Sequence, residues 1–560
     1  MTASPSTTTS TTRPSGSDID PARRWYILLT VVIGTFMILL DSTIVNVAVP
    51  SIQSSLQASY ENIEWIVGGY ALSYGLLLIP AGRLGDRFGH KTLFITGLVG
   101  FTIFSALCGT ARSASMLMLW RVLQGAMAGV MNPQITAIIQ ITFPPSIRGK
   151  AFGIYSAIIG IATATGPLVG GVLISAKIAG LEWEPIFLIN IPIGILGLIL
   201  ASRTLEQTYG RAGSLDIAGI AIVSAAVLAL TVPLVEGRVL GWPAWTFLSI
   251  GASFILFAVF AVWERRRLQV GKSVLVNVGL FRNRSFSAGM GIALAYFGGF
   301  TAIFFITSLL IQNGLGYSAL YSGLTVIPFS AGSLISSSQS DKFAKWLGRR
   351  CLFLGTALVM VGIGGLVVVL ERRGVSVTAW NLAPWFFSAG FGSGLIIAPN
   401  VTLTLSGVPG HEAGSASGVL SATQRLGQAI GICLVGIMMF GALSTQAPSS
   451  VAAVTDDLRA NLIAAHMPED QIDTAIATFT RCFEEQADSA DPTETPAGCP
   501  EQDTSATDPV SVAFRNAAET ALGKSFIIGA QRALITSWVL VAITFLLVFL
   551  LPKRIAEGRH

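Results

Sequence analysis

Runs of about 20 apolar residues recur from one end of this chain to the other, each long enough to cross a hydrocarbon core of about 30 Å as a helix. Fourteen are legible, over approximately 25–48, 63–82, 92–110, 115–139, 150–175, 186–202, 216–234, 245–263, 286–311, 321–340, 351–370, 381–405, 415–443 and 526–551. Each crossing must satisfy its own backbone in lipid, so isolated strands are excluded and an all-α polytopic membrane bundle remains. Charge agrees: 12% of residues are charged and the mean hydropathy is +0.67, against about a quarter charged in soluble domains.

Lys and Arg set the orientation. With residue 1 on the cytoplasmic side, that side carries 23 of the 35 basic residues and the opposite side nine; Arg121, Arg425 and Arg532 lie in or beside spans. This bias predicts both termini inside. The net charge of +5 then reports topology and gives no reason to expect nucleic acid as a partner. Residues 1–24 and 552–560 read as cytoplasmic tails, the first disordered and without the apolar core of a signal peptide.

Cys108, Cys351 and Cys433 fall in spans as packing residues. Cys482 and Cys499 fall in the long outward segment 444–525, which holds 14 acidic and four basic residues. They are disulfide candidates because oxidation is permitted there. Helical spacing in DLRANLIAAHMPEDQIDTAIATF predicts a short surface helix or helical pair in this loop.

An internal repeat organises the spans. GKAFGIYSAIIGIATATG (149–166) aligns without gaps on GSASGVLSATQRLGQAIG (414–431), with identities that include Gly149/Gly414, Gly153/Gly418, Ser156/Ser421 and Gly166/Gly431. Duplicated bundles are a common transporter plan. The division that follows is 25–202 as a six-helix bundle, 203–285 as two inserted helices with linkers, and 286–551 as a second six-helix bundle. GRLGDRFGHK (82–91) and SDKFAKWLGRR (340–350) are matching cytoplasmic turns. Gly82, Gly85 and Gly89 permit a tight turn, while Asp86, Arg87 and Lys91 can hold facing helix ends. The expected job is a latch between halves.

GRLGDRFGHK resembles the loop 2–3 signature of the major facilitator superfamily, LMLWRVLQGAMAG (117–129) its helix 4 signature, and GIATATGPLVGG (160–171) its helix 5 antiporter signature. LDSTIVNVAVP (40–50), IFLINIPIG (186–194), LGYSALYSGLTVIPF (315–329) and ASGVLSATQRLGQAIG (416–431) are similar to the fourteen-helix drug:proton antiporter-2 family. The resemblance implies two six-helix bundles plus two inserted helices, and proton-driven export of lipophilic, often cationic, compounds from a multi-pass plasma-membrane protein. Departures are His90 where Arg is usual, Glu184 and Pro185 where a Trp-Arg pair is usual, and the long acidic segment.

Asp41 is the residue that such a mechanism needs explained. A charge in a span costs about 2.5–3.5 kcal/mol on insertion scales, so it must face protein or water. Removal from water favours the neutral form of a carboxyl group, which makes Asp41 a candidate proton-coupling site; capping a broken helix is the competing role. Arg121 is its natural counterpart, and the resemblance implies that Arg121 influences proton transfer. Gly166, Pro167, Gly170 and Gly171 bring span 5 close to the other half and form a candidate hinge or seal.

Candidate substrate contacts are Gln124 beside Arg121, Gln424 and Arg425 at the repeat positions of Ile159 and Gly160, and the stripe Tyr296, Phe300 and Phe304, which could stack on a lipophilic cation. The stripe also suits packing. There is no phosphate-cradling glycine-lysine loop, and His90, His411, His466 and His560 are dispersed. No cofactor, metal or enzyme chemistry is expected. Partners are protons, a small lipophilic substrate and membrane lipids, with a monomer favoured. Export of an amphipathic lipid or siderophore-like product, and a sensor or assembly role through 444–525, are the alternatives.

Overall fold

The computed structural model describes residues 20–209, 216–272, 274–339, 343, 346–405, 408, 413–488, 498–500 and 507–551. The first half contains α1 Pro21–Leu56, α2 Tyr60–Phe88, α3 His90–Cys108, α4 Ala114–Thr142, α5 Pro145–Ser175 and α6 Pro185–Thr204. Next come α7 Ile217–Val239 and α8 Ala244–Gln269. The second half contains α9 Arg284–Leu309, α10 Ala319–Ser337, α11 Arg350–Arg373, α12 Ala379–Leu405, α13 Ala413–Ala464, α14 Glu469–Asp488 and α15 Pro509–Val548. The first helix begins inside the expected tail 1–24, because Asp20 caps it by accepting from the Ala22 amide. Ser59, Ser113 and Asp508 cap α2, α4 and α15 in the same way, satisfying amides left free at helix starts.

Among the described residues twelve helices are long and apolar enough to cross a membrane, or thirteen if α2, bent by 48° between Leu78 and Pro80, is one span. Pro80 lacks the N–H and crowds the preceding turn, which accounts for the bend. The expected crossing 150–175 falls in α5, whose described apolar stretch Thr165–Ser175 is too short to qualify. By this measure fourteen crossings are not reached.

One core fills the first half around Val31, Phe94, Phe101, Met131 and Phe143. A larger one joins Ile303, Phe386 and Met439 of the second half to Ile44, Ile52 and Trp183 of the first. The halves are therefore packed together at the end opposite Pro21. The α7–α8 pair leans on the seam between α2 and α13, where Leu72, Val227 and Ala429 share a small core. Outward residues of α8 such as Phe254 and Ile255 are about two-thirds exposed, as a lipid-facing helix requires.

The segment 444–525 contains the expected helical pair, and its helices are longer than expected because α13 and α15 run on from the spans. At 1.5 Å per residue the 52 residues of α13 and the 40 of α15 span about 78 and 60 Å, far beyond the hydrocarbon core. Val451, Val454, Leu458 and Leu462 fall on one face of α13 and pack with Ile472 of α14 and Ala517 and Ala521 of α15. That apolar stripe is what carries the helices onward from the membrane. A disulfide joins Cys482 to Cys499. Closing a loop of this size contributes about 3 kcal/mol, so Cys482→Ser with Cys499→Ser is expected to speed proteolysis of the extension markedly while export stays within twofold. Protease nicking and vesicle flux check the two halves of that statement.

Candidate functional site

Asp41 sits a little past the middle of α1, fully buried, and faces the interior of the first half. Arg121 of α4, also buried, donates from Nη1 to Asp41 Oδ2 at 2.5 Å. The other carboxylate oxygen accepts from Gln124 Nε2 at 2.9 Å and from Asn190 Nδ2 at 3.1 Å. Ser105 Oγ lies between them, within 3.1 Å of Gln124 and 2.9 Å of Asn190, and donates to the Phe187 carbonyl at 2.9 Å. Arg121 also donates to Gln124 Oε1 at 2.8 Å and to the Ile66 carbonyl at 3.2 Å. Five helices thus converge on one carboxylate, and each strong donor is met by an acceptor, as burial demands.

The network continues toward the second half through aromatic rings. The Arg121 guanidinium carbon is 4.1 Å from the Tyr70 ring centroid, Tyr70 and Tyr74 rings are 6.2 Å apart, and Arg425 of α13 lies 4.3 Å from the Tyr74 centroid. Gly75 makes this crossing possible: a Cβ there would sit 2.9 Å from Arg425 Cβ. Two cations at opposite ends of a tyrosine pair therefore connect the buried acid to the seam. Each cation–ring contact is worth about 0.5–2 kcal/mol. Replacing Arg425 with Gln is expected to shift the balance between inward and outward forms by up to about 30-fold, read as altered distance distributions between spin labels across the α2–α13 seam.

The loop 82–91 is docked within the first half. Gly89, at φ 96°, ends α2 and starts α3, a backbone conformation that favours glycine. Lys91 donates to the carbonyls of Ser202 and Leu205 at 3.2 and 2.7 Å, closing the end of α6. His90 Nδ1 is 2.8 Å from Gln134 Oε1 and its Nε2 3.7 Å from Asp86. A Cβ on Gly85 would strike Gln134, whereas Gly82 has room; Arg87 is exposed and lies beside Phe88. These contacts run within the first half, where the tight turn at Gly89 keeps the loop against its own bundle. Arg83 instead reaches the linker carbonyl of Val274 at 3.2 Å. In the counterpart turn 340–350, residues 340–342, 344 and 345, Asp341 among them, lie outside the described residues.

The α5 glycines do meet the other half. A Cβ on Gly171 would lie 2.9 Å from both Ala319 O and Leu320 Cα of α10, and one on Gly323 would lie 2.4 Å from Pro167 O. Gly166 and Gly170 face Thr43 and Ile44 of α1. Nearby, Gln312 donates to the Val47 carbonyl at 2.9 Å and Asn313 to Gln53 at 3.1 Å. Tyr60 stacks on Phe440 at 3.9 Å. The end opposite Pro21 is sealed by these contacts.

The aromatic stripe is packed in this conformation. Tyr296 stacks on Phe300 at 5.4 Å and donates to or accepts from Ser393 Oγ at 2.7 Å, while Phe300 and Phe304 both meet Phe329. Tyr296 and Phe300 are buried, Phe304 partly so. Gln124 is buried in the acid network and faces no open space. Gln424 and Arg425 are partly exposed on α13. Sequence reasoning missed Ser105, Asn190, Tyr70 and Tyr74, although Asn190 is a polar residue inside the quoted IFLINIPIG. It also missed Glu64, 2% exposed on α2 and pressed against Gly436 of α13; an acid near the start of an apolar run was its signal.

Residues 31–432 match the Major Facilitator Superfamily. The protein named "Probable actinorhodin transporter" of Streptomyces coelicolor is 34% identical over 555 residues, covering 97% of this chain and 95% of that protein. The "Tetracenomycin C resistance and export protein" of Streptomyces glaucescens is 32% identical over 439 residues, covering 76% and 79%. A solved bacterial homolog of the human lysosomal transporter Spinster, inward-facing and unoccupied, superposes with a TM-score of 0.56 at 16% identity, over 96% of this chain and 100% of that one. At that identity the likeness speaks for the fold alone. The family match covers most of the chain and the helical architecture agrees with it: this chain belongs to the major facilitator superfamily of multi-pass membrane transporters.

Proposed function

We propose that this chain exports lipophilic, drug-like compounds by alternating access, driven by protons moving in the opposite direction. Relatives named for actinorhodin transport, tetracenomycin C resistance and export, multidrug resistance and puromycin resistance support the export of drugs. The observation that carries the coupling is the buried Asp41 carboxylate, whose two oxygens accept from Arg121, Gln124 and Asn190.

An added proton turns one carboxylate oxygen into a donor, so the donors that meet that oxygen, Arg121 on Oδ2 or Gln124 and Asn190 on Oδ1, must rearrange. Protonation also removes the negative charge that holds the Arg121 guanidinium, which frees it to move. Arg121 is held against Tyr70 and the Ile66 carbonyl of α2, so its displacement acts on the helix that meets α13 at Arg425. In this reading the proton and the substrate compete for the arrangement of the α2–α13 seam rather than for a single atom. Gly166, Pro167, Gly170 and Gly171 provide the close crossing that parts when the outer end opens.

Everted membrane vesicles with an imposed pH gradient test the reading. Addition of a transported dye or drug is expected to collapse the gradient, and the same chain without a gradient is expected not to concentrate the compound. A gradient that stays unchanged during measurable export removes proton coupling from the proposal and leaves export.

A further inference from the structure

A cavity of about 370 Å³ opens where α2, α7, α8, α9 and α13 meet, within the size range of ligand pockets. Its wall includes Leu72 and Pro80 of α2, Val223 of α7, Phe260 of α8, Leu275 of the linker and Ala422 of α13. Every helix contributes residues from the half nearer the end that carries Pro21. That is the end with most of the basic residues.

The cavity has a built floor. Glu264 of α8 accepts from the Val276 amide at 3.1 Å, and Arg83 donates to the Val274 carbonyl at 3.2 Å, so the linker that lines it is pinned from both sides. Its lining is otherwise apolar apart from a hydroxyl, Thr423. A drug site usually adds several convergent polar groups that fix orientation; this wall offers a slot for a hydrocarbon chain. Cations lie next to the lining in sequence: Arg83 three residues beyond Pro80, exposed Arg282 directly after Phe281, exposed Lys272 on the same linker, and exposed Arg284 at the start of α9. Clustered basic residues at the ends of membrane-spanning helices attract anionic headgroups.

We infer that this cavity is a binding site for an anionic phospholipid, with one acyl chain between α2 and α13 and the headgroup at the basic mouth near Arg83 and Arg282. Because α2 belongs to the first half and α13 to the second, an acyl chain there touches both moving bodies. The α7–α8 pair supplies the outer wall that holds it. The site stands independently of proton coupling.

Native mass spectrometry of the full chain, taken from membranes with equal phosphatidylglycerol and phosphatidylcholine of matched chains, tests this. The expected result is one retained phosphatidylglycerol, favoured at least tenfold over phosphatidylcholine. Val223→Trp, which fills the slot, is expected to reduce retention at least tenfold. Arg83→Gln with Arg282→Gln is expected to keep one lipid but lose the preference. Ala261→Trp, on the neighbouring helix of the same wall, repeats the first test if Val223→Trp is not monodisperse. Equal retention in the tryptophan variants, equal binding of the two lipids by the unaltered chain, or stoichiometric displacement of the lipid by a transported dye would each overturn the assignment.

Discussion

Asp41→Asn is expected to abolish substrate-driven collapse of a pH gradient, by at least tenfold, while the protein still reaches the membrane. The substitution removes the titrating group but keeps an oxygen that can accept from Gln124 or Asn190. It also leaves Arg121 buried without its counter-charge, a situation that costs about 3–5 kcal/mol when one partner of a buried pair is removed. A lower melting temperature should therefore accompany the lost coupling. Asp41→Asn combined with Arg121→Gln separates the two effects: the double variant is expected to regain much of the stability, since removing both members of a buried pair is often close to neutral, and to remain uncoupled. Coupled export at the unaltered rate in Asp41→Asn would remove this acid from the mechanism.

Gly171→Leu carries the second large effect. The neighbours that an added Cβ would meet, Ala319 O and Leu320 Cα, are backbone atoms, so no side chain can rotate away to make room. Overpacking of this kind costs about 1–3 kcal/mol, which is a factor of about 5 to 150 in the equilibrium between sealed and open outer ends. Export should fall accordingly. Spin labels at the exposed positions Lys177 and Ser318 should report a longer mean distance than in the unaltered chain, which has no exposed free cysteine among the described residues. An unchanged distance with unchanged flux would show that the α5–α10 crossing is not the outer seal.

Asp41 and Arg121 were legible in the sequence because a charge inside a lipid-length apolar run has few tolerable fates. Asn190 and Ser105 were not, since neutral polar residues in such runs can bond back to their own helix and only the tertiary structure shows that these two converge on the acid. Spacing put Tyr296, Phe300 and Phe304 on one face correctly, but periodicity does not say which body that face meets; here it is Phe329 and Ser393. The glycines of α5 were readable as a close crossing, and the structure supplies the partner, α10. The turn 82–91 showed its shape in the sequence and concealed its partners, which lie on α4 and α6. The helical pair of the outer segment was legible in its spacing; its continuity with the membrane spans was not, because the row at Val451, Val454, Leu458 and Leu462 shows a buried face without showing that α13 runs on unbroken.

That row has a mechanical result. Since α13 and α15 pass without a break from the bilayer into the outer three-helix bundle, the bundle is a lever fixed to the second half. A rotation of about 15°, the size seen between rigid bodies in other switching proteins, would sweep a point 30 Å along the arm through about 8 Å. An antibody fragment clamped on its tip and anchored to the first half is expected to hold the two halves in one arrangement from beyond the bilayer, far from the buried acid at Asp41.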